Sequence, residues 1–184
     1  VLGCGGVGLS VIQGARIAGG KSIIALDKRI ESLERARHMG ATHTWRIEDN
    51  DAKFEAAVAH VRSLTEGRGA DYAFEATGQH SLAFAPLKFI RHGGVALQLS
   101  GAHGEVSAAM LDFWWDKRYL TPLYGGCHPP RDFPKLMRWI DEGQLDVASM
   151  ITRHYTLSQL QDAMDDMLSG SNIKGVIVFD KDRT

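Results

Sequence analysis

Apolar positions along the chain switch repeatedly between two spacings. Val1-Leu2 is the end of an apolar run that Gly3 stops. Val7, Val11, Ala15 and Ala18 then recur at intervals close to one helical turn, predicting a helix that Gly19-Gly20 ends. Residues 22–26 form a short apolar run of strand length, closed by Asp27. Ile30, Leu33, Ala36 and Met39 predict a second helix, stopped by Gly40. A weaker strand follows at 42–46. Phe54, Val58, Val61 and Leu64 predict a third helix behind the capping candidates Asn50 and Asp51. Residues 71–76 read as a strand, and 81–90 as a helix that Pro86 should kink or delay. Residues 95–99 predict another strand, and 119–124 a last one, which Pro122 places at a sheet edge.

Strand and helix alternating in this way predict an α/β fold, a Rossmann-type doubly wound parallel sheet with helices on both faces. After Tyr124 the pattern changes. Gly125, Gly126, Pro129 and Pro130 form a loop, Phe133, Leu136, Met137 and Ile140 a helix, and 151–156 an extended segment. Leu160, Ala163, Met164 and Met167 give a further helix ended by Gly170, and 176–179 a final strand. The expected organisation is therefore a Rossmann-type domain over 1–125, its first strand cut short, and a C-terminal helix–strand segment over 126–184. Two residues are too few for a buried strand, so further residues are expected upstream.

The motif richest in chemistry is Gly3-Cys4-Gly5-Gly6-Val7-Gly8, which fits G-x-G-x-x-G. Gly3 permits the tight turn out of the strand, Gly5 lets the backbone approach a pyrophosphate, and Gly8 lets the helix sit against the sheet. The N–H groups of Gly6, Val7 and Gly8 would point at the phosphates, with the positive end of the helix dipole behind them. Glycine-rich turns are common, but this one lies between a strand and a helix. A second strand ends in Asp27, 19 positions after Gly8. A carboxylate there accepts hydrogen bonds from the adenosine ribose and repels a 2′-phosphate, which favours NAD over NADP. Lys28 and Arg29 would soften that exclusion if they turned towards the ribose.

Bulk properties narrow the class. The formal net charge of −1 gives no reason to expect nucleic acid or an anionic membrane as partner, and no apolar run reaches the length of a membrane span. Two cysteines, Cys4 and Cys127, point to a reducing, cytoplasmic setting without a disulfide framework. None of the eight histidines makes an H-x-x-x-H pair on a predicted helix, and adjacent Cys127-His128 rarely converge on one ion, so no metal site is expected. His103 and His128 sit in loops near the expected cleft. Cys4 is either a thiol activated by the helix N-terminus or a small buried filler, and the filler is the better reading. Trp114 and Trp115, after Met110, Leu111 and Phe113, are core or subunit interface. Asp71 and Glu75 flank a strand with no partner visible. No Ser/His/Asp arrangement suggests nucleophilic catalysis, and no catalytic residue is assigned.

Taken in order, GCGGVGLS, IIALD, GAT at 40–42, GADYAFEATG, Gly93-Gly94, LYGG and SGSNIKGVIVF resemble the zinc-dependent medium-chain alcohol dehydrogenases over essentially the whole chain. The resemblance implies an NAD-binding half whose zinc-bearing catalytic domain precedes it, with zinc only in that domain. It implies that Thr77 and Gly78 line the adenosine and ribose side of the cleft. By the same resemblance, backbone groups of Leu99, Pro122 and Tyr124 hold the nicotinamide carboxamide, and Lys174 contacts the pyrophosphate. The Trp114–Trp115 region would help form a homodimer, or a tetramer built from it. One departure stands out: many members carry a basic residue five positions after the acid, where this chain has Ser32.

The expected function is the cofactor-binding portion of an oxidoreductase that moves hydride between an alcohol or aldehyde and NAD, the chain alone being inactive. Three competitors stay open. A zinc-independent quinone or enoyl reductase more often has A-x-x-G-x-x-G and uses NADPH. A non-catalytic redox-sensing NAD(H) module would work without an upstream domain. A methyltransferase usually carries an acid in the strand just before the first glycine, where this chain has Val1-Leu2.

Overall fold

The structure, a computed structural model, describes residues 1–51, 53–101 and 104–179, so His103 lies outside the described residues. The chain divides into two compact units, Val1–Phe133 and Pro134–Thr184.

In the first unit every strand pair is parallel. Strand β1 (Ile24–Asp27) pairs with β2 (His43–Arg46), and β3 (Ala70–Glu75) pairs with β4 (Ile90–Gln98), which pairs in turn with β5 (Arg118–Leu120). Leu2 joins the two groups by bridging both Leu26 and Glu75. Its N–H donates to the Phe74 carbonyl at 2.8 Å and its carbonyl accepts from the Ala76 N–H at 2.8 Å. The order across the sheet is therefore β2, β1, Leu2, β3, β4, β5, with the order reversing at Leu2. This is the doubly wound Rossmann-type arrangement that the alternation predicts.

Helices α1 (Gly6–Ile17), α2 (Ile30–Met39) and α3 (Glu55–Ser63) connect the early strands. By the strand pleat, Ile24 and Leu26 share one face of β1. There they join a core with Phe54 and with Ala57 and Val61 of α3. Ala25 is fully buried on the opposite face. A second buried set, Leu9 and Ile12 of α1 with Leu33, Ala36 and Met39 of α2, packs there. A strand buried on both sides needs an unbroken apolar run, which Ile23, Ile24, Ala25 and Leu26 provide.

Several elements differ from the sequence pattern. The buried stripe of α1 is Gly8, Leu9, Ile12 and Gln13, whereas Val7 is half exposed. Counting fours from Val7 finds the helix but the wrong face, because Gly8 allows such close approach that the helix turns this side to the sheet. Residues 81–90 form no α-helix but two 3₁₀ turns, His80–Leu82 and Ala85–Lys88, with Pro86 in the first turn of the second. Proline is tolerated there because a first-turn N–H needs no partner. Ile90 belongs to β4, which begins earlier than expected. β5 lies at the sheet edge as Pro122 suggested, but it ends at Leu120, so Pro122 lies beyond it, before a short turn at Leu123–Gly126. Asp51, rather than Asn50, caps α3: its carboxylate accepts the N–H groups of Ala56 and Ala57 at 3.2 and 3.0 Å.

Helix α4 (Pro129–Asp141) runs across the boundary between the units. The second unit holds β6 (Ile151–Tyr155) and β7 (Lys174–Ile177), a parallel pair, with α5 (Leu160–Ser169) between them in sequence. Asp166 of α5 accepts from the Tyr155 hydroxyl at 2.7 Å and pairs with Arg153 at 2.5 Å, tying helix to strand. Among the described residues no helix is long and apolar enough to cross a membrane.

Candidate dinucleotide-binding site

Parallel strands bring their carboxyl ends to one edge of the sheet, so the loops after Leu2, β1, β3, β4 and β5 all open there. Gly3 leaves the first strand with φ +89°, and an added Cβ would meet the Ala76 carbonyl carbon at 2.8 Å and the Thr77 nitrogen at 2.9 Å. Only glycine fits such a turn. At Gly8 a Cβ would stand 1.9 Å from the Gly3 carbonyl oxygen, so helix and loop touch backbone to backbone. At Gly5 a Cβ would meet nothing within 4 Å. That glycine is not required by the protein's own packing, and it faces the open space where a pyrophosphate would approach.

Helix α1 starts directly after this loop with Gly5 at its N-cap, no side chain caps it, and no acidic residue lies in its first turn. The N–H groups of Gly6, Val7 and Gly8 have no partner within the helix, as in any first turn. Their geometry suits an anion.

Asp27 ends β1 beside this loop. Its Oδ2 accepts the Cys4 N–H at 2.7 Å and its Oδ1 accepts the Arg29 N–H at 2.9 Å. The carboxylate is thus fixed by two backbone amides while the residue stays half-buried. Ser32, at the position where a basic residue was expected, is 1% exposed, turned inwards and unable to reach out to a ribose.

Cys4 is buried, and its thiol is pushed up to about 12 by burial first and by the Asp27 charge second. Desolvation of the thiolate outweighs the helix N-terminus, so Cys4 is the small buried filler.

Thr77 and Gly78 follow β3, Leu99 follows β4, and Pro122 and Tyr124 lie just beyond β5. Tyr124 adopts φ 48° and ψ 34°, a left-handed conformation rare for a non-glycine residue, with its side chain exposed. Lys174 opens β7 in the second unit. Residues Gly3, Gly5, Gly6, Val7, Gly8, Asp27, Thr77, Gly78 and Leu99 therefore lie at the carboxyl ends of neighbouring strands or just beyond them. A cavity of about 920 Å³ lies at the other end, between residues 21–24 and 70–74. It includes neither Asp27 nor Thr77, so cavity volume does not mark this site.

Sequence reasoning missed Glu75. This carboxylate is fully buried at the end of β3, where Oε1 accepts the Thr77 N–H at 2.7 Å and the Thr77 hydroxyl, and Oε2 accepts the Ser100 hydroxyl. The signal in the sequence was an acid closing an apolar strand two residues before a threonine. Asp71, also without a visible partner, pairs with Arg91 at 2.6 Å. Trp114 and Trp115 are more than half exposed rather than core. Among the described residues no group of three or more His, Cys, Asp or Glu side chains could hold a metal ion.

Comparison with known proteins bears on the family and the fold. The family profile described as zinc-binding dehydrogenase matches residues 6–142. Alcohol dehydrogenase class-3 of Cereibacter sphaeroides is 29% identical over 187 residues, covering 97% of this chain and 49% of that protein. Alcohol dehydrogenase B of Mycobacterium tuberculosis is 30% identical over 189 residues, covering 99% of this chain and 48% of that protein. The crystal structure of benzyl alcohol dehydrogenase from Acinetobacter calcoaceticus superposes with a TM-score of 0.84 at 25% identity, over 96% of this chain and 48% of that one. The chain spans about half the length of the curated relatives it matches. A glycine loop, an acid at the end of the next strand and a family match across most of the chain lead to one conclusion: this chain belongs to the zinc-binding dehydrogenase family and corresponds to the Rossmann-type half of its oxidoreductases.

Proposed function

We propose that this chain binds NAD(H) for a parent enzyme that transfers hydride between an alcohol or aldehyde and the nicotinamide. The observation that carries the reading is the pairing of the uncapped α1 N-terminus behind Gly5 with Asp27, held 2.7 Å from the Cys4 amide. The residues present fit the cofactor. Gly6, Val7 and Gly8 would donate their N–H groups to the pyrophosphate, and open space in front of Gly5 lets it approach. Asp27 would accept from the adenosine ribose hydroxyls and repel a 2′-phosphate, selecting NAD.

Thr77 and Gly78 would border the ribose side, while backbone groups of Leu99, Pro122 and Tyr124 would orient the carboxamide and thereby the ring face. Lys174, from the C-terminal segment expected over 126–184, is proposed as a pyrophosphate contact. When bound, the nicotinamide supplies the hydride acceptor. Zinc, expected outside residues 1–184, would polarise the substrate oxygen in the parent. The exposed Trp114 and Trp115 beside edge strand β5 are proposed as a homodimer contact. A cytoplasmic location is proposed from the two unpaired thiols.

The test is an assay of the 184-residue chain with ethanol or benzyl alcohol, NAD and zinc, paired with NADH fluorescence titration. Saturable NADH binding without turnover is expected. Zinc-dependent alcohol oxidation by this chain alone would overturn the division of labour, and absence of NADH binding would overturn the reading.

A further inference from the structure

We infer that Glu75 is a positioning residue of the dinucleotide cleft, clamping the loop after β3 to the loop after β4 and, through the Ala76–Thr77 peptide, bracing Gly3 of the glycine loop. The inference rests on the NAD(H)-binding reading above and adds a role for a residue that touches no ligand.

Glu75 is fully buried, in a sheet whose neighbouring positions Ala73 and Ala96 are apolar. A carboxylate there is costly unless its lone pairs are used. They are used by groups of the cleft loops. Thr77 gives both its N–H and its hydroxyl to Oε1, and Ser100, from the end of the next strand, gives its hydroxyl to Oε2. Gln98, itself buried, directs its Nε2 to the Ser100 Oγ at 3.3 Å, which leaves the Ser100 proton for Glu75. The main chain repeats the connection, since the Leu99 N–H donates to the Glu75 carbonyl at 3.0 Å.

The consequence reaches the glycine loop through contact. Gly3 lies so close to the Ala76–Thr77 peptide that no Cβ fits between them. Fixing Thr77 therefore fixes the wall against which the glycine loop turns. An aliphatic residue at position 75 would fill the same volume, but it would leave the Thr77 amide and the Ser100 hydroxyl to find other partners, so loop geometry would loosen without loss of packing. One carboxylate thus sets three loops: Gly3 on the phosphate side, Thr77 on the ribose side, and Ser100, next to Leu99, on the nicotinamide side.

The experiment is fluorescence titration with NADH and calorimetric titration with ADP-ribose, on wild type, Glu75→Ala, Glu75→Gln, Ser100→Ala and Thr77→Val. Each is measured at a temperature where circular dichroism shows the variant fully folded. Glu75→Ala should weaken NADH by at least about tenfold, as expected for loss of a buried multi-donor acceptor. Glu75→Gln keeps an oxygen for Thr77 and should stay within about threefold of wild type. Ser100→Ala should weaken NADH while leaving ADP-ribose unchanged, a split that general destabilisation would not produce. Folded Glu75→Ala with wild-type affinity for both ligands would overturn the inference. If Glu75→Ala does not fold, Ser100→Ala and Thr77→Val decide. The inference stands if Ser100→Ala spares ADP-ribose and Thr77→Val weakens both ligands, and it falls otherwise. Wild type failing to bind NADH would instead overturn the reading on which the inference rests.

Discussion

The Cys4 amide donates to the Asp27 carboxylate at 2.7 Å, joining the glycine loop to the acid at the end of the next strand. Two features separated by 23 residues are thereby one structural unit. The loop positions the acid, and the acid takes up the amide of Cys4, the residue just before the α1 N-cap Gly5.

Replacing Asp27 by Ala should weaken NADH by roughly 10- to 100-fold, about 1.5–3 kcal/mol for hydrogen bonds to a charged group. The same change should raise NADPH affinity relative to NADH, because the charge facing a 2′-phosphate is gone. Parallel fluorescence titrations of the two cofactors measure both effects, and an unchanged NADH/NADPH ratio would contradict the role given to Asp27.

Two of the loop glycines should separate when each is changed to Ala. Gly8→Ala places a methyl 1.9 Å from the Gly3 oxygen and should cost at least about 1–3 kcal/mol of stability. Gly5→Ala meets no protein atom within 4 Å, so its Tm should stay near wild type while NADH binding is lost. Thermal melts with and without NADH distinguish the two, and a large fall in Tm for Gly5→Ala would show that its space is occupied by the protein itself.

The thiols should differ in reactivity. Cys4 is buried with its thiol pushed up to about 12, whereas Cys127 is half-buried in a loop. With a disulfide reagent at pH 8, one thiol per native chain should react quickly and the second only on addition of urea. Mass mapping should place the fast label on Cys127.

Acid should destabilise the first unit partly through His60. Its ring stacks on Trp45 with centroids 4.2 Å apart, and Nε2 is buried without a hydrogen-bond partner. Burial, with a smaller contribution from His43, lowers its pKa below the ordinary 6.5. The unfolded chain therefore takes up this proton at a higher pH than the folded chain. Stability from this group is complete above about 6.5 and falls as pH drops through the histidine range. Tm measured from pH 7.5 to 5 should decline less steeply in His60→Gln than in wild type.

Much of the fold was legible because its rules are local. Glycine spacing, an acid at a strand end and apolar runs of strand length each depend on a few adjacent residues, and they located Gly3, Gly5, Gly8 and Asp27 at one sheet edge. Where tertiary contacts decide, the sequence was less informative. The buried face of α1 follows from how closely Gly8 lets it approach Gly3, which periodicity from Val7 cannot show. Residues 81–90 carry helical spacing, yet Pro86 and the short span between β3 and β4 leave only 3₁₀ turns. The Glu75 clamp depends on Ser100, 25 residues away in the loop after β4, so only the folded sheet brings the pair together.

The central claim is that these 184 residues form an NAD-selective dinucleotide site. Calorimetric titration of the chain with NADH and with NADPH under identical conditions tests it most directly. The predicted result is saturable binding of one NADH per chain, tighter than NADPH. Tighter binding of NADPH, or no binding of either, would contradict it.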